Sequence, residues 1–466
     1  MVFSTPVFMF WFLVLTMGIY FVVPRKFRNL VLLASSLFFY YWGEREYVAI
    51  MFLSTLIDYT HGLLVERCKE KGNIRGAKLA VASSIIFNLA LLVFFKYWDF
   101  LAGSAQAIGI PLPILNIHLP IGISFYTFQT MSYTVDVYRG DTRAQRSILN
   151  FGTFVTLFPQ LIAGPIIKYK DLGDQIDERT VTADKFAAGV QIFMVGLAKK
   201  LLVANNVGML WDSYKALAPG QLTVVGAWLG VIAFSFQLYF DFSGYSDMAT
   251  GLGRMFGFEF MANFNYPYIS KSITEFWRRW HISLSTWFRE YLYIPLGGNR
   301  CSKRRWMFNL LVVWAATGIW HGASWNYLLW GLYFFILLMV EKFFLLERLK
   351  KAPALLCHIY TLFLVLVSWA IFAIEDFGHL TAYLKVMFGL GGVPLADGAL
   401  GYYLTSYLPI LLVSAAASTP LGVMTYRKLK PRTQQVACTL LVVAGLVVCT
   451  AYLVASTYNP FLYFRF

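Results

Sequence analysis

Two histidines in this chain lie in sequence settings that could support proton transfer. His321 falls in the segment TGIWHGASW, residues 317–325, between Gly318 and Gly322. His281 falls in the segment RRWHISLS, residues 278–285. Histidine is the side chain best suited to accept or release a proton near neutral pH. The two positions are therefore candidates for general acid–base chemistry, in which a hydroxyl loses its proton as it attacks another group.

The other histidines and the cysteines form no metal-binding or nucleophile pattern. His281 and His321 stand 40 residues apart, neither belongs to an HExxH or HxxxH pair, and the five cysteines include no CxxC. A metal site needs more ligands than this, so we expect no metal ion. The segment GYSDM at 244–248 lacks the second glycine of a nucleophile elbow. The glycines at 251–257 have the wrong spacing for a dinucleotide fingerprint, and we interpret both segments as turns.

Two further pairs of ionisable residues fall near apolar runs. Asp241 and Asp247 form one pair, and Lys199 and Lys200 form the other. Ionisable side chains within a membrane usually mark a pathway or a functional site. The four residues could be the proton relay of a transporter, or they could make structural polar contacts.

The composition indicates a membrane protein. The chain has 466 residues, of which 58% are hydrophobic and only 14% are charged. Soluble domains usually carry about a quarter charged residues. Apolar runs recur along almost the whole length, with no polar linker between them. We therefore expect a single integral-membrane domain over residues 1–466, and we exclude a secreted disulfide scaffold, a disordered protein and an ordinary cytosolic enzyme.

The positions of the basic residues predict a topology. The formal net charge is +15, and 23 of the 39 Lys and Arg residues cluster in six short gaps between apolar runs, near 25–28, 67–78, 139–146, 300–305, 342–351 and 427–432. Cytoplasmic loops of membrane proteins carry such an excess, whereas a nucleic-acid-binding surface would not follow the gaps. Residues 1–23 carry no charge before Arg25, which favours a first spanning helix over a signal peptide. Both termini are then predicted to lie outside.

The apolar runs predict an all-α polytopic fold with about 11–12 transmembrane helices. A spanning helix needs about 20 mostly apolar residues. The predicted spans, the second and eighth of which are short, are 5–23, 29–42, 47–65, 79–97, 119–137, 187–205, 222–240, 306–321, 324–341, 354–374, 402–421 and 434–456. Residues 148–167 and 241–269, rich in turn formers or polar residues, predict non-helical, re-entrant segments, which at membrane depth must be buried or line a cavity.

Residues 270–295 are too charged to span a membrane and predict an amphipathic helix at the cytoplasmic interface. At 100° per residue, Arg278 and His281 share a polar stripe, whereas Trp280 and Trp287 share an apolar one. The pattern is also compatible with a plain surface anchor.

Five segments of this chain resemble the membrane-bound O-acyltransferases, and within them the branch of the bacterial alginate O-acetyltransferases. The most specific is FNYPYISKSITEFWRRWHISLSTWFREYLYIPLGGNR at 264–300, which accompanies TGIWHGASW at 317–325. The others are LPIGISFYTFQTMSYTVDVYRGD at 119–141, FPQLIAGPI at 158–166 and QLYFDFSGYSDMATGLG at 237–253. The resemblance covers nearly the whole chain.

The resemblance implies a central channel and two functional histidines, His321 and His281. It also implies transfer of an acyl group, usually acetyl in this branch, from a cytoplasmic thioester donor such as acetyl-CoA, with no tightly bound cofactor. Because the donor is polyanionic, we expect Arg278 and Arg279, with the 300–305 loop, to bind its phosphates. The remaining predicted donor-site or tunnel residues are Trp277, Trp280, Asp241, Tyr245, Asp247 and Trp320.

The acceptor implied by the resemblance is an extracytoplasmic polysaccharide, reached with a separate extracytoplasmic acetyltransferase partner of the SGNH-hydrolase type. We expect the protein in a bacterial cytoplasmic (inner) membrane, in contact with lipid and with no nucleic acid. The aromatic tail at 460–466 is a candidate for partner docking or for anchoring at the membrane interface. Three alternatives stay open: D-alanyl or other acyl transfer to an envelope polymer, a proton-coupled transporter, and a membrane scaffold.

Overall fold

The protein consists of helices joined by turns and irregular segments wherever its structure is described. The computed structural model describes residues 1–390, 392–455, 458, 459 and 462, and these residues include no β-strand. Two compact units make up the chain: Met1–Phe193 with Ser246–Met261, and Met194–Tyr245 with Ala262–Phe466. We refer to them as unit 1 and unit 2.

Unit 1 combines long helices with three short ones. Its long helices are Val7–Phe12 continuing as Leu13–Val22, Arg28–Glu44, Val48–Glu70, Ile74–Leu92 continuing to Ala107, Ile123–Arg139 and most of Ala183–Ala198. Its short helices are Ile148–Thr156, Phe158–Leu161 and Tyr169–Asp177.

Unit 2 contains the segments around both histidines. Its long helices are Lys199–Ala204 continuing as Asn205–Lys215, most of Val224–Met255, Lys303–His321, Trp325–Val340 continuing to Lys351, Ala354–Ala373, Phe377–Met387, Ala399–Ala417 and Pro431–Ala455. The short ones are Ile273–Arg279, Ile282–Phe288, Arg289–Tyr293 and Leu421–Arg427.

All twelve predicted spans fall on these long helices, and the sixth, 187–205, covers Ala183–Ala198 and its continuation Lys199–Ala204. Eight continuous helical stretches in the described residues are long and apolar enough to cross a membrane, and one of them, Arg25–Glu70, contains two predicted spans. The first, fifth and eighth predicted spans are helical but do not meet that criterion, since they are shorter or more polar. The prediction of an all-α, multi-pass membrane protein is confirmed.

The predicted re-entrant segment 148–167 has the expected irregular backbone. The helix Ile148–Thr156 ends before Leu157, a second helix covers only Phe158–Leu161, and no helix follows until Tyr169. Residues 151–169 are all buried. Burial within protein is the condition under which a non-helical backbone is tolerated at membrane depth.

The prediction of a non-helical segment over 241–269 is wrong for its first half, and so is the interpretation of 244–248 and 251–257 as turns. The helix Val224–Met255 continues through all but the last two of these turn residues. Its glycines allow close helix packing: a Cβ on Gly244 would lie 2.7 Å from the carbonyl oxygen of Gly196, and one on Gly251 would lie 2.6 Å from that of Gly189. After Met255 the chain is irregular up to Ile273, apart from the single turn Pro267–Ile269.

The predicted amphipathic helix over 270–295 is instead two short helices with a break between them. The helix Ile273–Arg279 ends at Trp280, and the next helix, Ile282–Phe288, begins after His281. His281 is fully buried, so it does not lie on a polar, membrane-surface stripe. Because the chain changes direction at the break, the side chains of the second helix do not continue the 100° rotation of the first. The stripes calculated for one continuous helix therefore do not describe which side chains share a face.

Candidate active site

His321 ends the first helix of a tightly packed helical hairpin, as predicted. The helices Lys303–His321 and Trp325–Val340 are joined by only three residues. A Cβ on Gly318 would lie 2.4 Å from the carbonyl oxygen of Tyr327, and one on Gly331 would lie 2.3 Å from that of Trp314. Small residues thus let the two backbones touch, and the hairpin places His321 inside the protein, with 3% of its surface exposed.

His281 lies at the break between the two short helices and has an unusual backbone. Its φ and ψ angles are 44° and 56°, in the left-handed region. Non-glycine residues seldom adopt this conformation, and where they do the site is often functional. The imidazole lies edge-on to Phe242, with ring centroids 4.7 Å apart.

The two histidines come together within an aromatic shell of unit 2. Their ring centroids are 6.4 Å apart. Trp320 lies 5.9 Å from His281 and 5.1 Å from His321, and Trp330 and Phe372 lie edge-on to His321 at 5.0 and 5.4 Å. Across the described residues, no group of three His, Cys, Asp or Glu side chains is arranged to hold a metal ion. The site therefore presents a pair of buried imidazoles surrounded by aromatic side chains.

Burial controls the charge of His281. Loss of hydration, with a smaller contribution from the nearby His321, holds the pKa of the His281 imidazole well below its usual value. His281 is therefore neutral at physiological pH and can act as a hydrogen-bond donor and acceptor at the site.

Comparison with known proteins identifies the family of this chain. The family model of the membrane-bound O-acyltransferases matches residues 139–375, which include both histidines. The chain belongs to the membrane-bound O-acyltransferase family. This acyltransferase is 44% identical to a probable alginate O-acetylase of Azotobacter vinelandii, over 85% of this chain and 80% of the relative. It is 39% identical to one of Pseudomonas putida over both full lengths, and 34% identical to a peptidoglycan O-acetyltransferase of Helicobacter pylori, over 85% of this chain and 81% of the relative.

Family membership settles the class of the protein. It is a membrane-bound acyltransferase, which argues against the transporter and scaffold alternatives. The single-domain prediction stays a prediction.

The tryptophans beside His281 pack in the core of the acyltransferase rather than at a membrane surface. Trp277 contacts Trp314 and Phe334, with ring centroids 4.7 and 4.8 Å apart. Trp280 contacts Trp369 at 4.9 Å. Both indoles are buried, and Trp277 also contacts Trp330, which lies edge-on to His321.

The two arginines predicted to bind the donor differ in their contacts. Arg279 pairs with Glu275 at 2.9 Å and donates to the carbonyl oxygen of Asn265 at 3.0 Å. Arg278 is exposed. Of the two, Arg278 is better placed to meet an anionic substrate, because Arg279 is largely occupied in holding its own helix.

Asp241 forms a buried ion pair instead of contacting the histidines. Its Oδ1 lies 2.7 Å from the Nζ of Lys200, and the two side chains are 2% and 3% exposed. Its Oδ2 accepts a hydrogen bond from the backbone N–H of Leu462 at 2.9 Å. These contacts favour the structural interpretation of the Asp241–Lys200 cluster. The rest of the tail predicted for docking, 460, 461 and 463–466, lies outside the described residues.

Tyr245 and Asp247 follow Asp241 on the same helix but belong to different units. Tyr245 is buried in unit 2, one turn after Phe242, which contacts His281. Asp247 belongs to unit 1, where it is half-buried. Their predicted role in the tunnel stays a prediction.

Sequence reasoning missed two polar residues that support the site, Glu341 and Asn263. Glu341 is fully buried and accepts hydrogen bonds from the backbone N–H groups of Ile273 and Thr274, at 2.6 and 2.8 Å. It therefore fixes the start of the helix that leads to His281. A lone carboxylate inside the apolar run near 325–345 was the available signal. Asn263 had no such signal, because it lies in a loop rich in similar residues.

Proposed function

We propose that this acyltransferase moves acetyl groups from a cytoplasmic thioester donor to a polysaccharide outside the membrane. The named relatives support the chemistry, since alginate and peptidoglycan are both extracytoplasmic glycans and both sets of names specify O-acetylation. Acetyl-CoA is the donor we favour. D-alanyl transfer is a weaker alternative, because the relatives that match most strongly carry acetylase names.

The observation that carries this proposal is the helix Lys303–His321. It begins at the basic 300–305 loop, which the charge pattern assigns to the cytoplasm, and it ends at the buried His321. Nineteen residues rise about 28 Å, most of the hydrocarbon thickness of a bilayer. A donor held by its phosphates near the basic loop would direct its thioester arm toward the histidine, while its polyanionic part stays in water.

In the proposed step His321 acts as the general base. Its ring nitrogen accepts the proton of an acceptor hydroxyl as the oxygen forms a bond to the acetyl carbon. The C–S bond of the thioester breaks, and the thiolate leaves with a proton returned by the imidazolium. Help of this kind is typically worth about 10²–10⁴-fold in rate. His281 faces the same reaction space as a neutral partner.

A covalent route is the main mechanistic alternative. His321 would attack the thioester itself, form an acetyl-imidazole and release the thiol, and the acceptor hydroxyl would then take the acetyl group. Brief exposure to radiolabelled acetyl-CoA without acceptor distinguishes the routes. The covalent route predicts label on the wild-type protein and none on His321→Ala, whereas the direct route predicts label on neither.

We also propose a membrane location, an orientation and a partner for this acyltransferase. The protein would lie in a bacterial inner membrane with both termini outside. A separate extracytoplasmic acetyltransferase of the SGNH-hydrolase type would pass the group to the polymer, or would present the polymer to the membrane enzyme. These assignments follow the family resemblance and the positive charge of the predicted cytoplasmic loops.

Replacement of His321 by Ala tests the function. We expect acetylation of the cell-surface glycan to fall by about 10²-fold or more, as measured by release of acetate from purified glycan by base. His118→Ala is the matched control, because its side chain is 65% exposed and lies in unit 1. Glycan acetylation that persists at the wild-type level in His321→Ala, with equal protein in the membrane, would disprove the assignment.

A further inference from the structure

We propose that Asn263 is a positioning residue that holds His281 in its left-handed conformation and so aims the imidazole at the reaction space beside His321. The catalytic part of this inference rests on the proposed acyl transfer. The structural part does not, because it concerns only how the backbone at His281 is held.

The backbone of His281 requires an external constraint. Its φ of 44° is disfavoured for a residue with a Cβ. In the absence of that constraint, His281 would relax to the right-handed region, and the helices on either side could merge into the single amphipathic helix that the sequence pattern suggests. Residues in sparsely populated conformations persist only where the surrounding structure determines them.

Asn263 supplies the constraint on the C-terminal side of His281. Its backbone carbonyl accepts a hydrogen bond from the N–H of Ile282 at 2.9 Å. Its side-chain Oδ1 accepts two more from Ser283, from the backbone N–H at 3.2 Å and from the hydroxyl at 2.9 Å. Asn263 therefore binds the first two residues of the helix that follows His281, as an N-cap residue would. His281 itself, the N-terminal neighbour of that helix, makes no side-chain cap.

The same loop supports the N-terminal side of the break. The backbone N–H of Asn265 donates to the carbonyl oxygen of Arg279 at 2.9 Å. The stretch 263–265 thus contacts the chain just before and just after Trp280 and His281. With both flanks held, the two-residue break cannot straighten without the loss of these bonds.

The position of the imidazole follows from this arrangement. His281 is wholly buried, and its ring lies between Phe242 and the pair Trp320 and His321. A return to helical backbone would turn the side chain toward another direction. Misplacement of a reacting group by about 1 Å can cost about 100-fold in rate, so the hydrogen bonds of Asn263 bear directly on chemistry.

The kinetic experiment compares four variants in inverted membrane vesicles that contain the partner protein and polymer, with radiolabelled acetyl-CoA as the probe. Asn263→Ala removes the Oδ1 acceptor, and Asn263→Asp keeps an acceptor at the same place. Ser283→Ala removes only the hydroxyl donor. Asn265→Ala is the matched control, since Asn265 is exposed and its contacts to Arg279 run through its backbone.

We expect Asn263→Ala to lose about 100-fold in kcat with the KM for acetyl-CoA changed less than about twofold. Asn263→Asp should recover most of that loss, Ser283→Ala should show a smaller one, and Asn265→Ala should match the wild type. Wild-type kcat in Asn263→Ala, or an equal loss in Asn263→Asp, would overturn the proposal. Wild-type vesicles that transfer no acetyl group would instead count against the proposed function.

A stability measurement tests the backbone claim without reference to activity. Glycine adopts the left-handed conformation readily, so His281→Gly removes the need for the constraint. In a protein that keeps His281, we expect Asn263→Ala to lower the unfolding temperature in detergent substantially. In a protein that carries His281→Gly, the same substitution should lower it much less. Equal decreases in the two backgrounds would show that Asn263 does not act on the conformation of His281.

Discussion

At the residue scale, both histidines are buried, His321 at the end of a helix and His281 at a break between two helices. TGIWHGASW predicted a buried histidine at a hairpin tip, and His321 is there. His281 was expected on a polar stripe, and it is buried at a helix break. Helical periodicity predicts the direction of a side chain only while the helix continues. A single residue in the left-handed region, such as His281, changes the direction of the backbone and of every side chain after it.

Burial of His281 predicts a pH dependence of stability. In the unfolded chain the pKa of this imidazole is about 6.5, and in the folded protein it is well below that value. Between the two values the unfolded state binds more protons, so stability is fully present above about pH 6.5 and is lost as the pH falls below it. One proton contributes at most about 1.4 kcal/mol per pH unit.

His281→Asn isolates this contribution, because asparagine tolerates the left-handed conformation and does not titrate. We expect the wild type to lose more thermal stability than His281→Asn between about pH 7.5 and about pH 5, as measured by unfolding in detergent. All other residues are identical in the two proteins, so their contributions cancel in the comparison. An identical acid dependence in the two proteins would contradict the burial of a neutral His281.

At the element scale, the hairpin that carries His321 depends on direct backbone contact. Gly318 is one turn before His321, and a Cβ there would overlap the carbonyl of Tyr327 at 2.4 Å. The atoms that must move belong to the backbone, so the two helices would have to separate. The sequence indicated a glycine-flanked tip, but only the packing identifies Tyr327 as the neighbour that requires the glycine.

We expect Gly318→Ala to destabilise the protein by about 1–3 kcal/mol, as overpacking does, and to reduce acetyl transfer because His321 moves with its helix. Gly401→Ala is the control: Gly401 lies in the helix Ala399–Ala417, and a Cβ added there would lie in open space. That change should leave the unfolding temperature equal or slightly higher, since alanine favours helix. Equal effects of the two substitutions would refute the close approach at Gly318.

The helices themselves were largely predictable and the irregular segments only partly so. Twelve apolar runs located twelve helices, because the requirement for a spanning apolar stretch is strong and local. The segment 148–167 was correctly expected to be irregular, whereas 241–255 was not, although both contain glycine. Glycine breaks a helix in isolation but permits close helix packing when a neighbouring backbone is present, and the neighbours of Gly244 and Gly251 are distant in sequence.

At the scale of the whole molecule, the distribution of basic residues makes a topology testable. In unit 1, Arg75 is exposed at the start of the helix that begins at Ile74, next to other basic residues, and His118 lies in an exposed loop without Lys or Arg. The positive-inside rule assigns the first to the cytoplasm and the second to the opposite side. The assignment matters for function, because the donor and the acceptor are proposed to approach from different sides.

Single cysteines at these two positions, in a background without the five native cysteines, test the assignment. We expect an impermeant maleimide to label His118→Cys in intact spheroplasts and to label Arg75→Cys only after permeabilisation. Labelling of both sites in permeabilised cells is the control for reactivity. The reverse pattern would invert the topology and place the proposed donor entrance on the wrong side.

The sequence by itself determined the class of the protein: a basic, apolar, all-helical membrane acyltransferase with two histidines in specific segments. It did so because spanning helices and family motifs are local patterns. Only the tertiary structure decided which polar residues act together. The imidazole pair at 6.4 Å, the Asp241–Lys200 ion pair and the contacts of Asn263 on both sides of His281 all join positions separated along the chain. Such contacts depend on the path of the backbone, and the left-handed residue that redirects this path at His281 is held by a loop that periodicity does not describe.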